Sequence, residues 1–338
     1  MSLASQRRLP QGTRDIDQAR GDLAEFGYCL VEDALSPALV ESLRVRLLEQ
    51  AAAEEEAGVG CFDQGPGQVT STADGRLDRS ATLPGRGGVN QRVQTLLNKG
   101  QVFCDLVVSP VILEMVSYWL GESFLLSTTN ANIANPGGTP MRLHTDQWWM
   151  PAPSRPDEQH LRPGSMRRGH GYGLRSSGPA EFIAPPVGMN AMVFLVDIDE
   201  AMGGTRLVPG SHLSGVVPDP SQPDPAATVQ AVGKAGTICF FDARLFHGTG
   251  ANRSGQPRIV LLNYYTAPQF RPQQNYVVAL RKEVREKASP ELLSLLGFEP
   301  WHGYGALETE AESILEFLAG RESLIGEMRP ESSSAPSL

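Results

Sequence analysis

GTICFFDARLFHGTGANRSGQPRIVLLNYY, residues 236–265, places two apolar runs on either side of a turn rich in glycine and polar residues. Their aromatic and β-branched content predicts two strands. His247 follows the first run, and Arg258 opens the second. A histidine between an apolar strand and a glycine-rich turn sits where a barrel rim presents a ligand. A strand-borne arginine facing a barrel interior is costly unless an anion meets it. Its planar fork suits a carboxylate in bidentate fashion.

Working backwards, MRLHTDQWWMP (141–151) sets His144 and Asp146 one residue apart. Read as a strand, it projects both to one face, together with Arg142 and Trp148. An imidazole beside a carboxylate supplies two members of a 2-His-1-carboxylate triad, which holds non-haem Fe(II) and leaves positions open. The third ligand has to come from another histidine. His160 and His170 lie in an arginine- and glycine-rich stretch, 153–183, and read as solvated. His212 ends LVPGSH and reads as structural, while His302 is close to the C-terminus. His247 remains the candidate. An iron triad with a buried arginine is what a 2-oxoglutarate-dependent oxygenase requires: the keto-acid end chelates the metal, and the far carboxylate needs a cation.

Around these motifs the chain reads as helices, then a β-rich centre, then short helices. SPALVESLRVRLLEQ has Ser36 as N-cap, Pro37 at the first helical position and Leu39, Val40, Leu43 and Leu47 recurring on one face. A second helix repeats the Ser-Pro start and Gly stop over 109–121. Strands are predicted at 26–35, 122–135, 188–201, 235–243 and 258–268, a long loop at 58–90, and short helices near 289–296 and 308–319. This order implies a mainly β protein with flanking α, a double-stranded β-helix (jelly-roll, cupin-like) core in one domain over 19–325. A loose arm over 1–18 and a disordered tail over 326–338 would flank it. The 153–183 insertion is long enough to fold over whatever Asp146 binds.

Composition narrows the class. The net charge of −9, with no basic block, disfavours nucleic acid as a partner. No run of eighteen apolar residues predicts a membrane span, and the polar N-terminus does not read as a secretory signal, so a cytoplasmic location is expected. Cys29, Cys61, Cys104 and Cys239 lack CxxC spacing and read as reduced thiols. A monomer or homodimer acting on a small-molecule substrate fits these bounds.

HTD (144–146), GGTRLVPGSH (203–212), HGTGANRSGQPR (247–258) and RPQQNY (271–276), in this order, resemble the phytanoyl-CoA dioxygenase (PhyH) family of Fe(II)/2-oxoglutarate oxygenases over roughly 22–305. DQWWMP and the FRPQQNY after the last strand look closest to its natural-product-tailoring branch. The resemblance implies a dioxygenase that uses Fe(II), 2-oxoglutarate and O2. It would hydroxylate, desaturate or cyclise at an unactivated C–H bond, releasing succinate and CO2. It makes His144, Asp146 and His247 the iron ligands and Arg258 the grip on the distal carboxylate. Thr249, Thr205, Asn132 and Arg92 match co-substrate positions; Asn130, Trp148 and Trp149 are placed toward the substrate. Because Asp146 is present, halogenation, which needs that position vacated for halide, is disfavoured. A family member acting on a primary metabolite such as an acyl thioester or amino acid, or a metal-binding jelly-roll without oxygenase chemistry, are the alternative readings.

Overall fold

The computed structural model describes residues 8–72, 77–147, 186–214, 217–218, 224 and 227–306. Trp148, Trp149, the 153–183 insertion, the helix expected near 308–319 and the 326–338 tail lie outside them. The chain forms two compact units, Met1–Gln274 and Asn275–Leu338. Among the described residues no strand follows Thr266.

In chain order the first unit contains α1 (Ile16–Phe26), β1 (Tyr28–Val31), α2 (Pro37–Glu56), β2 (Cys61–Asp63), β3 (Asn90–Gln94), α3 (Gln101–Val107) and α4 (Pro110–Leu120). There follow β4 (Leu125–Ala134), β5 (Gly188–Phe194), β6 (Arg206–Leu207), β7 (Val229–Gln230), β8 (Ile238–Asp242), β9 (His247–Gly248) and β10 (Arg258–Thr266). The second unit holds α5 (Tyr276–Ala279), α6 (Lys282–Arg285) and α7 (Pro290–Leu295).

Local chemistry accounts for the helix starts. The Ser36 side chain accepts from Leu39 N with Pro37 in the first turn, which satisfies one of the orphan N–H groups of α2. Val40, Leu43, Leu47 and Ala51 then form its buried face. At α1, Asp15 accepts from Asp17 N and Gln18 N, and Gly27 closes the helix in the left-handed region. The expected loose arm is therefore shorter than 1–18: Thr13 bridges Val31, and helix begins at Ile16. The expected long loop at 58–90 likewise contains β2 and a 3-10 turn, Arg79–Thr82.

A seven-stranded antiparallel sheet runs in the order β1-β8-β5-β10-β4-β3-β2, and a three-stranded sheet in the order β7-β6-β9. Between them lies an apolar cluster that includes Met192 and Phe194 of β5, Val260 of β10, Leu207 of β6 and Phe241 of β8. The longest strands, β4 and β10, pair along almost their whole length, with Val260 opposite Asn132 and Leu262 opposite Asn130. Among the described residues no single helix is long and apolar enough to cross a membrane. The consecutive α3 and α4 are apolar because they bury Phe103, Leu106, Ile112 and Met115 in the fold.

Candidate active site

Residues 141–147 depart from the strand expected of them. His144 makes a single bridge to His247, with reciprocal N–H···O bonds of 2.9 Å, and Asp146 lies in the turn that follows. Asp146 N donates to Ala243 O at 2.7 Å, so the segment hangs from the ends of β8 and β9 rather than running in a ladder. Convergence of the two side chains survives, but through this turn and not through pleat alternation.

The result is a compact donor set. One ligand atom each from His144, Asp146 and His247 lies within 4.8 Å of the others. His144 Nε2 is 3.6 Å from Asp146 Oδ1, and His247 Nε2 is 3.4 Å from Oδ2. The opposite ring nitrogens fix the tautomers: His144 Nδ1 lies 3.2 Å from Arg142 O, and His247 Nδ1 2.9 Å from Leu245 O. A carbonyl only accepts, so each Nδ1 carries the proton and each Nε2 presents a lone pair inward. Phe241 packs on the His247 ring at 4.8 Å between centroids. Burial pushes the Asp146 carboxyl up, but His247 and His144 outweigh it and hold the group well below the usual carboxylate range. Burial presses His144 down, and Asp146 more than compensates, leaving its pKa raised. Three donors of this composition suit an octahedral divalent ion such as Fe(II).

Asn190 of β5 was not anticipated. Its Nδ2 donates to Asp146 Oδ2 at 2.8 Å, which orients the carboxylate. The signal was available: one amide inside the apolar run GMNAMVF, a buried polar residue in a core strand.

A cavity of about 300 Å³ opens over the triad and is lined by alternate residues of β10, β4 and β3. Arg258 lies at its inner wall, 1 % exposed. Its Nη1 donates to Thr205 Oγ1 at 3.1 Å, whereas Nε and Nη2 are buried with no partner. Burial first, and Arg92 second, push its pKa down to about 9. Two free guanidinium N–H groups in a cavity beside a metal site fit the far carboxylate of a keto acid. Thr249 Oγ1 accepts from Asn132 Nδ2 at 3.3 Å and keeps its own proton to donate. The approach of β6 to β9 that brings Thr205 and Thr249 to this wall depends on glycine. Gly203 has φ +71, and a Cβ there would lie 2.4 Å from Ala251 O. Arg92 also lines the cavity, but its Nε is bonded to Asp63 Oδ2 at 3.0 Å. Asn130 lines the cavity one residue pair along β4. His212 is apart from the triad, its Nε2 3.2 Å from Ala24 O, as a structural histidine would be.

The sequence matches the phytanoyl-CoA dioxygenase (PhyH) family over residues 23–260. It is 29 % identical to dioxygenase af480 of Aspergillus fumigatus over 286 residues, covering 84 % of this chain and 77 % of that protein. It is 25 % identical to dioxygenase FUM3 of Gibberella moniliformis, covering 63 % of this chain and 64 % of the other. Among solved structures it resembles the epimerase SnoN in complex with Fe3+, alpha-ketoglutarate and nogalamycin RO, with a TM-score of 0.50 and 19 % identity, covering 76 % and 86 % of the two chains. HygX from Streptomyces hygroscopicus, with nickel and 2-oxoglutarate bound, gives a TM-score of 0.50 at 15 % identity, with 75 % and 88 % covered. These likenesses establish the jelly-roll core. With the donor triad and the length of the family match, they identify the chain as a member of the phytanoyl-CoA dioxygenase (PhyH) family of iron- and 2-oxoglutarate-dependent dioxygenases.

Proposed function

We propose that the chain oxidises an unactivated C–H bond of a small molecule, most simply a secondary metabolite. In this reading Fe(II) is held by His144, Asp146 and His247, and 2-oxoglutarate by Arg258 with Thr205, Thr249 and Asn132. The observation that carries it is the buried, half-unpartnered Arg258 guanidinium on the same cavity wall as the His-Asp-His set. When bound, Fe(II) and 2-oxoglutarate would let O2 act as the oxidant that breaks the C–H bond; in a hydroxylation one oxygen atom would go to the substrate and the other to succinate, as 2-oxoglutarate loses CO2.

The residues have separable tasks. His144 and His247 offer neutral Nε2 lone pairs because backbone carbonyls hold the protons at Nδ1. Asp146 stays ionised and is held in place by Asn190. Arg258 and Thr205 anchor a carboxylate at a fixed distance from the metal, which sets the orientation of the keto-acid end. Phe241, Met192, Val260 and Leu262 keep that part of the wall apolar and limit water. Arg92, tied to Asp63, shapes the wall between co-substrate and substrate rather than acting as a second anion clamp.

An anaerobic absorbance titration of metal-free protein with Fe(II) and 2-oxoglutarate tests this. A visible charge-transfer band is expected, absent in His144→Ala and weakened in Arg258→Ala. A folded, iron-loaded protein that shows no band with 2-oxoglutarate refutes the reading.

A further inference from the structure

The charged side chains among the described residues that line the cavity, apart from the two histidines, are Asp63, Arg92, Asp146 and Arg258. Each has a use. Asp63 and Arg92 neutralise one another across 3.0 Å. Asp146 offsets one charge of a divalent ion. The one that remains, together with Arg258, matches the two carboxylates of 2-oxoglutarate. The described part of the loaded wall then carries no net charge and, among the described residues, offers no spare counter-ion to a charged substrate. Burying an unpaired charge there would cost several kcal/mol, on the order of the penalty for any desolvated ion.

Among the described residues, Asp63 Oδ1, Asn132 Oδ1 and the Tyr264 hydroxyl on this wall also lack a partner; Asp63 and Asn132 each have their other polar atom bonded, whereas Tyr264 has only the one. Tyr264 is 4 % exposed, lines the cavity, and its hydroxyl has no hydrogen bond. Its place in the sheet is fixed by register: Tyr264 lies opposite Asn190 on one side and Thr128 on the other, and Asn190 lies opposite Phe241. These four side chains form a row across the cavity floor, and two of them touch the triad, Asn190 at Asp146 and Phe241 at His247. Tyr264 is thus one strand spacing, about 4.8 Å, from the residue that orients the metal's carboxylate. Gly188 makes room for it: a Cβ there would sit 2.2 Å from the Tyr264 hydroxyl. Beyond it the lining turns to neutral hydrogen-bonding groups, Asn130, Gln94 and Gln273.

We infer that the substrate is an uncharged, oxygen-bearing molecule, and that Tyr264 positions it by donating its phenolic hydrogen to a carbonyl, ether or hydroxyl oxygen beside the bond to be broken. This rests on the oxygenase reading above and deepens it, setting aside free amino acids and other charged metabolites. The hydroxyl is unpartnered in the free enzyme because its partner arrives with the substrate, which is how a polar site rejects analogues lacking that oxygen.

The test uses three rings of similar size and different charge: cyclohexanone, cyclohexanecarboxylate and cyclohexylammonium. Each is titrated anaerobically into protein loaded with Fe(II) and 2-oxoglutarate, with binding read from the shift of the visible band and from calorimetry. Cyclohexanone is expected to bind at least about 10-fold more tightly than either ion, and Tyr264→Phe to weaken it roughly 3- to 10-fold, the worth of one hydrogen bond. Metal-free Tyr264→Phe is expected to melt at or above the parent temperature, because it removes a buried hydroxyl that nothing satisfies. An ion that binds as well as the ketone, no ketone binding, a ketone affinity unchanged by Tyr264→Phe, or a melting point lowered by more than about 4 °C overturns the inference. A parent protein without the band overturns the oxygenase reading and this inference with it; a band with the wrong ranking overturns this inference alone.

Discussion

Arg258→Met separates the cost of a functional group from its use. In the free protein the guanidinium is 1 % exposed, has one protein partner, Thr205, and leaves two nitrogens unpaired. Its pKa falls from 12.5 to about 9, which corresponds to roughly 5 kcal/mol against the charged form. Relaxation and entering water recover part of that, so replacement by an apolar side chain of similar length should stabilise the metal-free protein by about 1–3 kcal/mol. For a chain of this size the melting temperature should rise by roughly 2–4 °C per kcal/mol. The same change removes a charge-assisted anchor, which should raise the 2-oxoglutarate dissociation constant by about 2–5 kcal/mol, or roughly 30- to several thousand-fold. Thermal melts of metal-free protein and anaerobic titration of the iron-loaded protein measure the two effects independently. A variant that melts lower than the parent and still binds 2-oxoglutarate with parental affinity would refute the assignment, since Arg258 would then be a structural cation with an internal partner.

Four further outcomes follow from the same geometry. Asn190→Ala removes the 2.8 Å hydrogen bond to Asp146 and should weaken Fe(II) binding by roughly 10- to 100-fold while leaving the fold intact, as metal titration and circular dichroism will show. Fe(II) affinity should be level above the raised His144 pKa and fall by up to tenfold per pH unit below it, because the proton occupies the ligand nitrogen. Metal-free protein should show the opposite trend from this group: the stability that His144 contributes is fully present below its unfolded value of about 6.5 and is lost as pH rises through the folded value, measurable by melts across pH 5–9. Gly203→Ala forces a Cβ to 2.4 Å from Ala251 O at φ +71 and should cost at least about 1–3 kcal/mol in a denaturant melt.

The triad was legible because its chemistry depends on residue type and order: an HxD pair, then a histidine eleven residues ahead of an arginine. The Ser-Pro helix starts and the apolar runs of β5, β8 and β10 were legible for local reasons, caps and β propensity. What local pattern could not give was the company each element keeps. β3 reads NQRVQ, too polar for an edge strand in isolation, yet Asn90, Gln91 and Val93 are buried because β4 and β2 flank it. α1 passes unnoticed because only Ala19 and Leu23 of its eleven residues are buried. Residues 141–147 read as a strand because HxD alternates, although the only bridge there is His144 to His247 and the neighbouring backbone bonds do not extend it into a ladder. Tyr264 shares its strand face with Arg258, Val260 and Leu262 by a period of two, so its direction was readable; its missing partner was not, since that depends on Gly188 of the next strand.

The position of β10 in the sheet has a consequence for how the protein is made. It is the last strand among the described residues, but it fills the middle of the large sheet, between β5 and β4. It brings Arg258 and Tyr264, and its insertion joins the half built from β1, β8 and β5 to the half built from β4, β3 and β2. His144 and His247 meet only when segments about a hundred residues apart are brought together, a slow event where distant pairings limit the rate. A nascent chain leaving the ribosome therefore has no anchor for 2-oxoglutarate until β10, which carries Arg258, emerges and enters the sheet. The order of synthesis withholds the co-substrate grip from a sheet that is still in two halves.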